Sequence, residues 1–266
     1  MPFANGAGGA RIHWSEAGAG EPLMLVMGLG CASALWFRLV PRLVRRFRVI
    51  LLDNRGVGLT EAPNAVVHRV TTLADDLAAV LDAAGEATAH VAGLSMGGMI
   101  AQEFALDHPR RLRTLTLMAT NCGGLHATLA PPHVWRKLFD KGQLTPTEAL
   151  EALRPHTYAR ATPAEVIDED HRVRLAHYPT LRGYQAQLNG LIGWTSHARL
   201  PRITAPTLVL HGAEDQLIPP ANGRTLAARI PGATHLELED ASHWLHSDRP
   251  AQVAAAIEAF VAFHAA

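Results

Sequence analysis

Short apolar, β-rich runs alternate along the chain with longer segments in which apolar residues recur at helical spacing. The short runs predict strands over 23–27, 48–53, 89–92, 112–120, 206–212 and 234–240, of which 23–27 is predicted to be buried. Helices are predicted between them, among them one through Trp36, Leu39, Leu43 and Phe47, one over 71–85, one that Pro109 ends, and a last one from Pro250. Strands that are apolar throughout and are separated by helices are typical of a mainly parallel sheet covered on both faces. The chain is therefore predicted to be an α/β protein, with segment 10–18 forming an antiparallel hairpin at one edge.

The alternation stops between residues 122 and 200. This stretch contains several prolines and no run that predicts a buried strand, but it does contain helical patterns. One pattern begins at Thr145, a residue suited to cap a helix that starts at Pro146. We therefore predict a helical insertion over 122–200, placed within a core domain formed by 1–121 and 201–266.

Composition narrows the class of protein. Lys and Arg together number 24, as do Asp and Glu, so no net charge attracts nucleic acid or an anionic membrane surface. The N-terminal segment lacks a basic region followed by an apolar core, and no apolar run has the length of a bilayer span. Two cysteines, Cys31 and Cys122, are too few for a disulfide framework and suit a reducing compartment. We expect a cytoplasmic protein without nucleic-acid or membrane partners; these observations do not indicate its activity.

A serine lies between glycines where a predicted strand becomes a helix. Residues 93–97 read Gly-Leu-Ser-Met-Gly, which satisfies the pattern G-x-S-x-G. Glycines allow a turn too tight for side chains, and such a turn exposes the serine hydroxyl beside the amino end of the next helix. The alternative is a glycine-rich turn with only a structural role. The strand-turn-helix context favours Ser95 as a nucleophile.

A serine nucleophile requires a base, and the base requires a carboxylate to orient it. Asp215 follows the predicted strand 206–212, and His243 follows the strand 234–240. The order serine, acid, histidine is the order that this type of turn predicts. Glu214 and His246 are the local competitors, and Asp215 is preferred because it fits the spacing H-G-x-x-D before Ile-Pro-Pro.

Two backbone N–H groups are needed to stabilise the negative charge that develops on a carbonyl oxygen under attack. We expect one from Met96, directly after the serine, and one from Leu29, in the glycine-containing loop 27–30. Asp53 precedes Ser95 in the chain and so breaks the expected order. The loop 53–56 is interpreted as a structural brace near the site.

With Ser95, Asp215 and His243 in this order, and with the segments MGLG, DNRGVG and HGAED, the chain resembles the α/β-hydrolase superfamily. It is most similar to the branch of esterases and lactonases that includes 3-oxoadipate enol-lactonases and aclacinomycin methylesterase-like proteins. The resemblance implies a mostly parallel, twisted sheet flanked by helices, with a helical cap inserted after the sixth strand that selects the substrate. Many relatives have His-Gly where this chain has Met27-Gly28, which removes one bracing hydrogen bond from the loop but not its N–H donors.

The resemblance implies a hydrolase that cleaves an ester or lactone of a small, largely apolar substrate, without cofactor or metal. Carbon–carbon bond hydrolysis, perhydrolysis with peroxide and a non-catalytic ligand receptor remain alternatives, because the same three residues serve all of them. A homodimer is an open alternative to a monomer. Four insertion residues are candidates for contact with the substrate, and they are Trp194, Tyr184, Trp135 and Leu125.

Overall fold

The computed structural model describes residues 2–139 and 144–264. These residues form one eight-stranded sheet. Its strands are β1 (Phe3–Asn5), β2 (Arg11–Ala17), β3 (Glu21–Val26), β4 (Phe47–Leu52), β5 (Ala89–Leu94), β6 (Leu112–Met118), β7 (Thr207–Gly212) and β8 (Thr234–Leu238). The described helices are α1 (Val40–Leu43), α2 (Val70–Ala83), α3 (Met96–Asp107), α4 (Pro132–Phe139), α5 (Pro146–Thr157), α6 (Ala164–Ala176), α7 (Leu181–Leu191), α8 (Ala221–Arg229), α9 (Leu245–Asp248) and α10 (Pro250–His264).

The strands lie in the order β1-β2-β4-β3-β5-β6-β7-β8. The hairpin of β1 and β2 is antiparallel and joins β4 in antiparallel register, as segment 10–18 predicted. From β4 to β8 every neighbouring pair is parallel. The carboxyl ends of β3, β5, β6, β7 and β8 therefore meet at one edge, where open α/β sheets bind their ligands.

Both faces of the sheet are covered, which explains why its central strands are apolar throughout. Along β3, Leu23 and Leu25 pack into the core on one face, and Met24 and Val26 pack into the core on the other. Helices α2 and α3 cover the face of Met24, while α9 and α10 cover the face of Leu23. The predicted α/β class is confirmed.

Helices α4 to α7 lie between β6 and β7, after the sixth strand as expected. The chain leaves and re-enters the sheet layer at adjacent points, because Gly123 pairs with Thr195 and the N–H of Ser196 donates to the Cys122 carbonyl at 2.9 Å. Helix α5 begins where the sequence predicted. The Thr145 side chain accepts from the N–H of Glu148, and the Glu148 carboxylate accepts from the N–H of Thr145 at 2.8 Å.

The helix predicted through Trp36, Leu39, Leu43 and Phe47 is wrong in its extent. Residues Ser33–Arg38 form a 3₁₀ helix, and only Val40–Leu43 is α-helical. Pro41 has no N–H to donate to the preceding turn, so a continuous helix would lack a hydrogen bond there. Phe47 instead begins β4 and is fully buried. No helix in the described ranges has both the length and the hydropathy of a membrane span.

Candidate active site

Ser95 lies at the sharp turn between β5 and α3. Its backbone has φ 57° and ψ −120°, a strained conformation that side-chain-bearing residues rarely adopt. A Cβ at Gly93 would overlap the carbonyl oxygen of Gly97, and a Cβ at Gly97 would overlap the carbonyl oxygen of Val26. Glycine at both positions is therefore what allows the chain to reverse direction and bring Ser95 to the carboxyl edge of the sheet.

Asp215 and His243 follow β7 and β8, and the structure brings them together. Nδ1 of His243 lies 2.9 Å from Oδ2 of Asp215, and both residues are almost fully buried. The other oxygen, Oδ1, accepts from the N–H groups of Leu217 at 2.9 Å and Ile218 at 2.8 Å. Burial alone would raise the pKa of Asp215, but the opposing effects of His243 and His211 leave its pKa below the ordinary value. The carboxylate is therefore ionised at neutral pH and can orient the imidazole.

The two local competitors are placed differently. The Glu214 carboxylate accepts from the N–H of Arg160 at 3.0 Å rather than from His243. His246 is fully buried, with its ring centroid 4.8 Å from that of Trp36 and 5.4 Å from that of Trp244. This burial lowers the pKa of His246 to about 3, so its ring stays neutral. Of the candidates considered, only Asp215 and His243 form an acid–imidazole pair.

Ser95 and His243 line one cavity of about 260 Å³, together with Leu29 and Met96. Met96 is the first residue of α3, so its N–H has no acceptor within the helix, and the amino end of the helix carries partial positive charge. The loop after β3 approaches the serine closely, since a Cβ at Gly28 would lie 3.6 Å from the Ser95 hydroxyl oxygen. Both predicted N–H donors thus belong to backbone that borders the serine.

The loop after β3 is braced from two directions. Nδ2 of Asn54 donates to the Met27 carbonyl at 2.9 Å. From the other direction, the Gly30 N–H donates to Oε1 of Gln187 at 2.7 Å. Asp53 takes no part in the cavity wall; its Oδ1 accepts from the N–H and hydroxyl of Ser33 at 2.8 and 2.7 Å. The loop 53–56 is a structural brace, as interpreted from the sequence.

Gln187 was not predicted from the sequence, because nothing separates it from the other polar residues of the insertion. It lies on α7, is fully buried, and also donates through Nε2 to the Arg55 carbonyl at 2.7 Å. One amide thus ties the helical insertion both to the loop that carries Leu29 and to the loop after β4. A buried side-chain amide that accepts a hydrogen bond from one backbone segment and donates one to another holds both segments in a defined position.

We expect Gln187→Met to lower kcat for hydrolysis of an ester by about 10- to 100-fold, because displacing an oxyanion donor costs part of the roughly 10²- to 10³-fold lost when such a donor is removed. Methionine keeps the volume but cannot accept from Gly30 or donate to Arg55. Steady-state kinetics measures the effect, and the melting temperature shows whether the variant is folded. Asn189→Ala is the matched control, because Asn189 lies on the same helix and donates to the Val66 carbonyl at an exposed position. A folded Gln187→Met enzyme with unchanged kcat would contradict the positioning role.

Three of the four predicted substrate contacts line the cavity. Trp194 donates through Nε1 to the buried Glu103 at 2.6 Å, Tyr184 donates to the Leu138 carbonyl at 3.2 Å, and Trp135 is partly exposed. The fourth, Leu125, does not line the cavity, and its side chain is fully exposed. Gly123 and Gly124 both have positive φ and turn the chain outward just before it. The remaining walls are mainly apolar and include Met99, Leu153, Leu188, Leu191, Leu217 and Ile218.

Asp248 holds the loop that carries His243. Its Oδ2 accepts from the Ser242 N–H at 2.7 Å, and its Oδ1 accepts from the Thr162 hydroxyl at 2.6 Å. Burial raises the pKa of Asp248 to about 6, against the opposing effect of these donors. The protonated form therefore persists in the folded protein at a pH where the unfolded chain is ionised.

This raised pKa gives a pH dependence of stability. The pKa of Asp248 is higher in the folded protein than in the unfolded chain. Its contribution to the free energy of unfolding is therefore full below the unfolded pKa and is lost as the pH rises through about 6. We expect the free energy of unfolding of the wild type to fall by about 2 kcal/mol relative to Asp248→Asn between roughly pH 4 and pH 7. Denaturant titrations at several pH values measure the difference. Asp240→Asn, which changes an exposed carboxylate nearby, should show no such trend. Parallel curves for wild type and Asp248→Asn would refute the assignment.

Among the described residues, no group of three or more histidine, cysteine or acidic side chains is arranged to hold a metal ion. The site joins a serine on a strained turn, a buried carboxylate–imidazole pair and two backbone segments suited to donate hydrogen bonds. Their common cavity is mainly apolar.

Comparison with known proteins agrees with this architecture. The family model described as alpha/beta hydrolase fold matches residues 21–157 and 173–250. The chain is 34% identical over 245 residues to a poly(3-hydroxyalkanoate) depolymerase of Ectopseudomonas oleovorans, covering 90% of this chain and 84% of the relative. It is 31% identical over 255 residues to a protein of Azorhizobium caulinodans provisionally named carbamate hydrolase RutD, covering 91% of each. The enol-lactonase structure from Burkholderia xenovorans LB400 aligns with a TM-score of 0.85 at 27% identity, covering 98% of this chain and 100% of that one. Since the family model spans well over half of the sequence, the resemblance is confirmed and the chain belongs to the α/β-hydrolase fold family.

Proposed function

We propose that this enzyme hydrolyses carboxylic esters or lactones of small, largely apolar substrates through an acyl-enzyme on Ser95. The observation that carries the proposal is the buried Asp215–His243 pair, with Nδ1 and Oδ2 2.9 Å apart, in a cavity that Ser95 also lines. A carboxylate that orients an imidazole beside a serine is the arrangement that activates the hydroxyl for attack on a carbonyl carbon.

The reaction proceeds in two steps. His243 accepts the Ser95 proton through Nε2 as the hydroxyl oxygen attacks the carbonyl carbon, and Asp215 stabilises the imidazolium that forms. The N–H groups of Leu29 and Met96 donate to the oxyanion, and His243 then protonates the departing alkoxide. In the second step a water molecule, deprotonated by His243, attacks the acyl-enzyme and releases the acid and Ser95.

The names of the relatives support acyl chemistry without selecting one substrate. A polyester, a carbamate and an enol lactone each contain a carbonyl carbon bonded to oxygen or nitrogen, and hydrolysis at that carbon requires the same oxyanion stabilisation. The mainly apolar cavity walls favour a substrate whose groups next to the carbonyl are apolar. A serine at position 95, rather than a carboxylate, favours acyl transfer over dehalogenation or epoxide opening.

We also propose a cytoplasmic location, for which the cysteines are the supporting observation. Cys31 and Cys122 are both free and buried, a state that a reducing compartment maintains. Burial raises the pKa of the Cys122 thiol, which disfavours the reactive thiolate.

Two measurements on the wild-type enzyme test the proposed function. The first is hydrolysis of p-nitrophenyl esters from acetate to octanoate and of a lactone series, in which turnover with a chain-length optimum is expected. The second is labelling by a fluorophosphonate, followed by peptide mass spectrometry, which should identify Ser95. Folded protein that turns over no ester or lactone would overturn the proposal. Labelling of Ser95 without ester turnover would direct attention to carbon–carbon hydrolysis or perhydrolysis.

A further inference from the structure

Arg174 lies on α6 in the helical insertion, and it lines the same cavity as Ser95 and His243. Only 8% of its surface is exposed. Among the described residues that line the cavity, it is the only one with a permanent charge. The wall around it is mainly apolar, so this guanidinium is an exception in its surroundings that requires an explanation.

The guanidinium of Arg174 lies over an aromatic ring. Its central carbon lies 4.7 Å from the centroid of Trp244, the residue after His243. A stacked guanidinium interacts through its face and leaves the N–H donors in its plane free for other groups. The contact with Trp244 therefore holds Arg174 in place without using its hydrogen-bonding capacity.

Among the ion pairs between described residues, Glu169 and Asp170 pair with Arg38, and Arg174 takes part in none. Nearby acidic groups are committed elsewhere. Oδ1 of Asp170, one helical turn earlier, accepts from Nε of Arg38 at 2.8 Å, and its Oδ2 accepts from the Tyr158 hydroxyl at 3.2 Å. The oxygens of Asp248 accept from Ser242 and Thr162. The protein itself therefore does not neutralise this guanidinium.

A guanidinium that faces a mainly apolar cavity, with no carboxylate beside it, keeps its N–H groups available to a group that enters the cavity. Such a group is explained when a ligand supplies the anion. A guanidinium fork matches the two oxygens of a carboxylate in bidentate geometry. A phosphate ester brings three acceptor oxygens and up to two charges, for which one arginine in a mainly apolar wall is a poor match.

We propose that the substrate is an ester that carries a second, free carboxylate, and that Arg174 binds this carboxylate and so sets the specificity of the enzyme. The proposal rests on the proposed function, because it names the class of ester that the same site accepts. The apolar wall then contacts the carbon chain between the scissile carbonyl and the carboxylate. The monoesters of dicarboxylic acids are the simplest members of this class.

The test compares monomethyl esters of the dicarboxylic acids from succinic to suberic acid with matched esters in which a primary carboxamide replaces the free carboxylate. We expect the wild type to prefer the carboxylate ester in kcat/KM by about 10- to 100-fold at the best chain length, the range for a hydrogen bond to a charged group. Arg174→Met, which keeps the apolar contact with Trp244, should lose this preference, because kcat/KM for the carboxylate ester falls to the value for the carboxamide ester in the same variant. Arg174→Lys keeps the positive charge but not the paired N–H donors of the guanidinium, so it should keep a smaller preference for the carboxylate ester.

Several outcomes would overturn the proposal. The proposal is wrong if the wild type hydrolyses the carboxylate ester and the carboxamide ester with equal kcat/KM. It is also wrong if Arg174→Met keeps the wild-type preference for the carboxylate ester. An equal loss on both esters in the two variants would show that Arg174 only supports Trp244. A binding measurement tests the carboxylate site separately from hydrolysis. Calorimetry should detect binding of the monoester to the Ser95→Ala variant, and no binding to the double variant Ser95→Ala/Arg174→Met. Binding without turnover by the wild type would overturn the proposed hydrolysis and retain the carboxylate site.

Discussion

Ser95→Ala is expected to lower kcat for ester hydrolysis by about 10⁴- to 10⁶-fold, the range for loss of a serine nucleophile. Alanine keeps the Cβ, so the strained turn at φ 57° is not altered further and the fold should persist. The loss follows because no other hydroxyl is presented to the cavity by this turn. Progress curves with a p-nitrophenyl ester measure the residual rate, and circular dichroism confirms the fold.

Ser196→Ala is the control for Ser95→Ala. Ser196 is also buried, but its hydroxyl donates to Oε1 of Gln102 at 2.6 Å and does not line the cavity. Its replacement should leave kcat within about threefold of the wild type. Substantial activity in pure Ser95→Ala protein would show that the nucleophile is another group and would end the proposed mechanism.

The second large effect is expected from Asp215→Asn, which should reduce kcat by about 10⁴-fold. The structure gives the reason. Oδ1 accepts from the N–H groups of Leu217 and Ile218, so the amide oxygen of asparagine will occupy that position and its NH₂ will face His243. Nδ1 of His243 must then accept rather than donate. The ring proton moves to Nε2, the atom that has to accept the proton of Ser95, and the base is lost.

The neighbouring carboxylate provides the comparison for Asp215→Asn. Glu214→Gln changes the same kind of group one residue earlier, but Glu214 contacts Arg160. Its kcat should stay within about threefold of the wild-type value. If Glu214→Gln were the inactive variant and Asp215→Asn the active one, the acid would have been assigned to the wrong residue.

Where sequence reasoning succeeded, local backbone physics restricted the choices. A Cβ at Gly93 would overlap the carbonyl oxygen of Gly97 in the same turn, so the segment around Ser95 specifies a tight turn from its own residues. Thr145 and Glu148 form a capping box that requires only residues of the same turn. Continuous apolar strands predicted the covered parallel sheet because the pattern reports burial on both faces.

Where sequence reasoning failed, the outcome depended on the direction of the chain in space. Leu125 is apolar and lies in the insertion, yet the two left-handed glycines before it turn it toward solvent. Phe47 fits a helical spacing, but the α-helix ends at Leu43 and Phe47 pairs with Glu21 of β3 as the first residue of β4. Neither the exposure of Leu125 nor the strand at Phe47 can be predicted from the pattern of hydrophobic residues alone.

The sequence by itself determined the α/β class, the turn that holds Ser95 and the order in which acid and histidine follow, because each depends on short segments with strong steric or periodic constraints. The tertiary structure alone decided that Gln187 braces the loop of Leu29, and that Arg174 lines the cavity with no carboxylate paired to it among the described residues. These two roles join residues distant in the chain. Such contacts arise from packing between separate elements, and no local spacing or propensity records them.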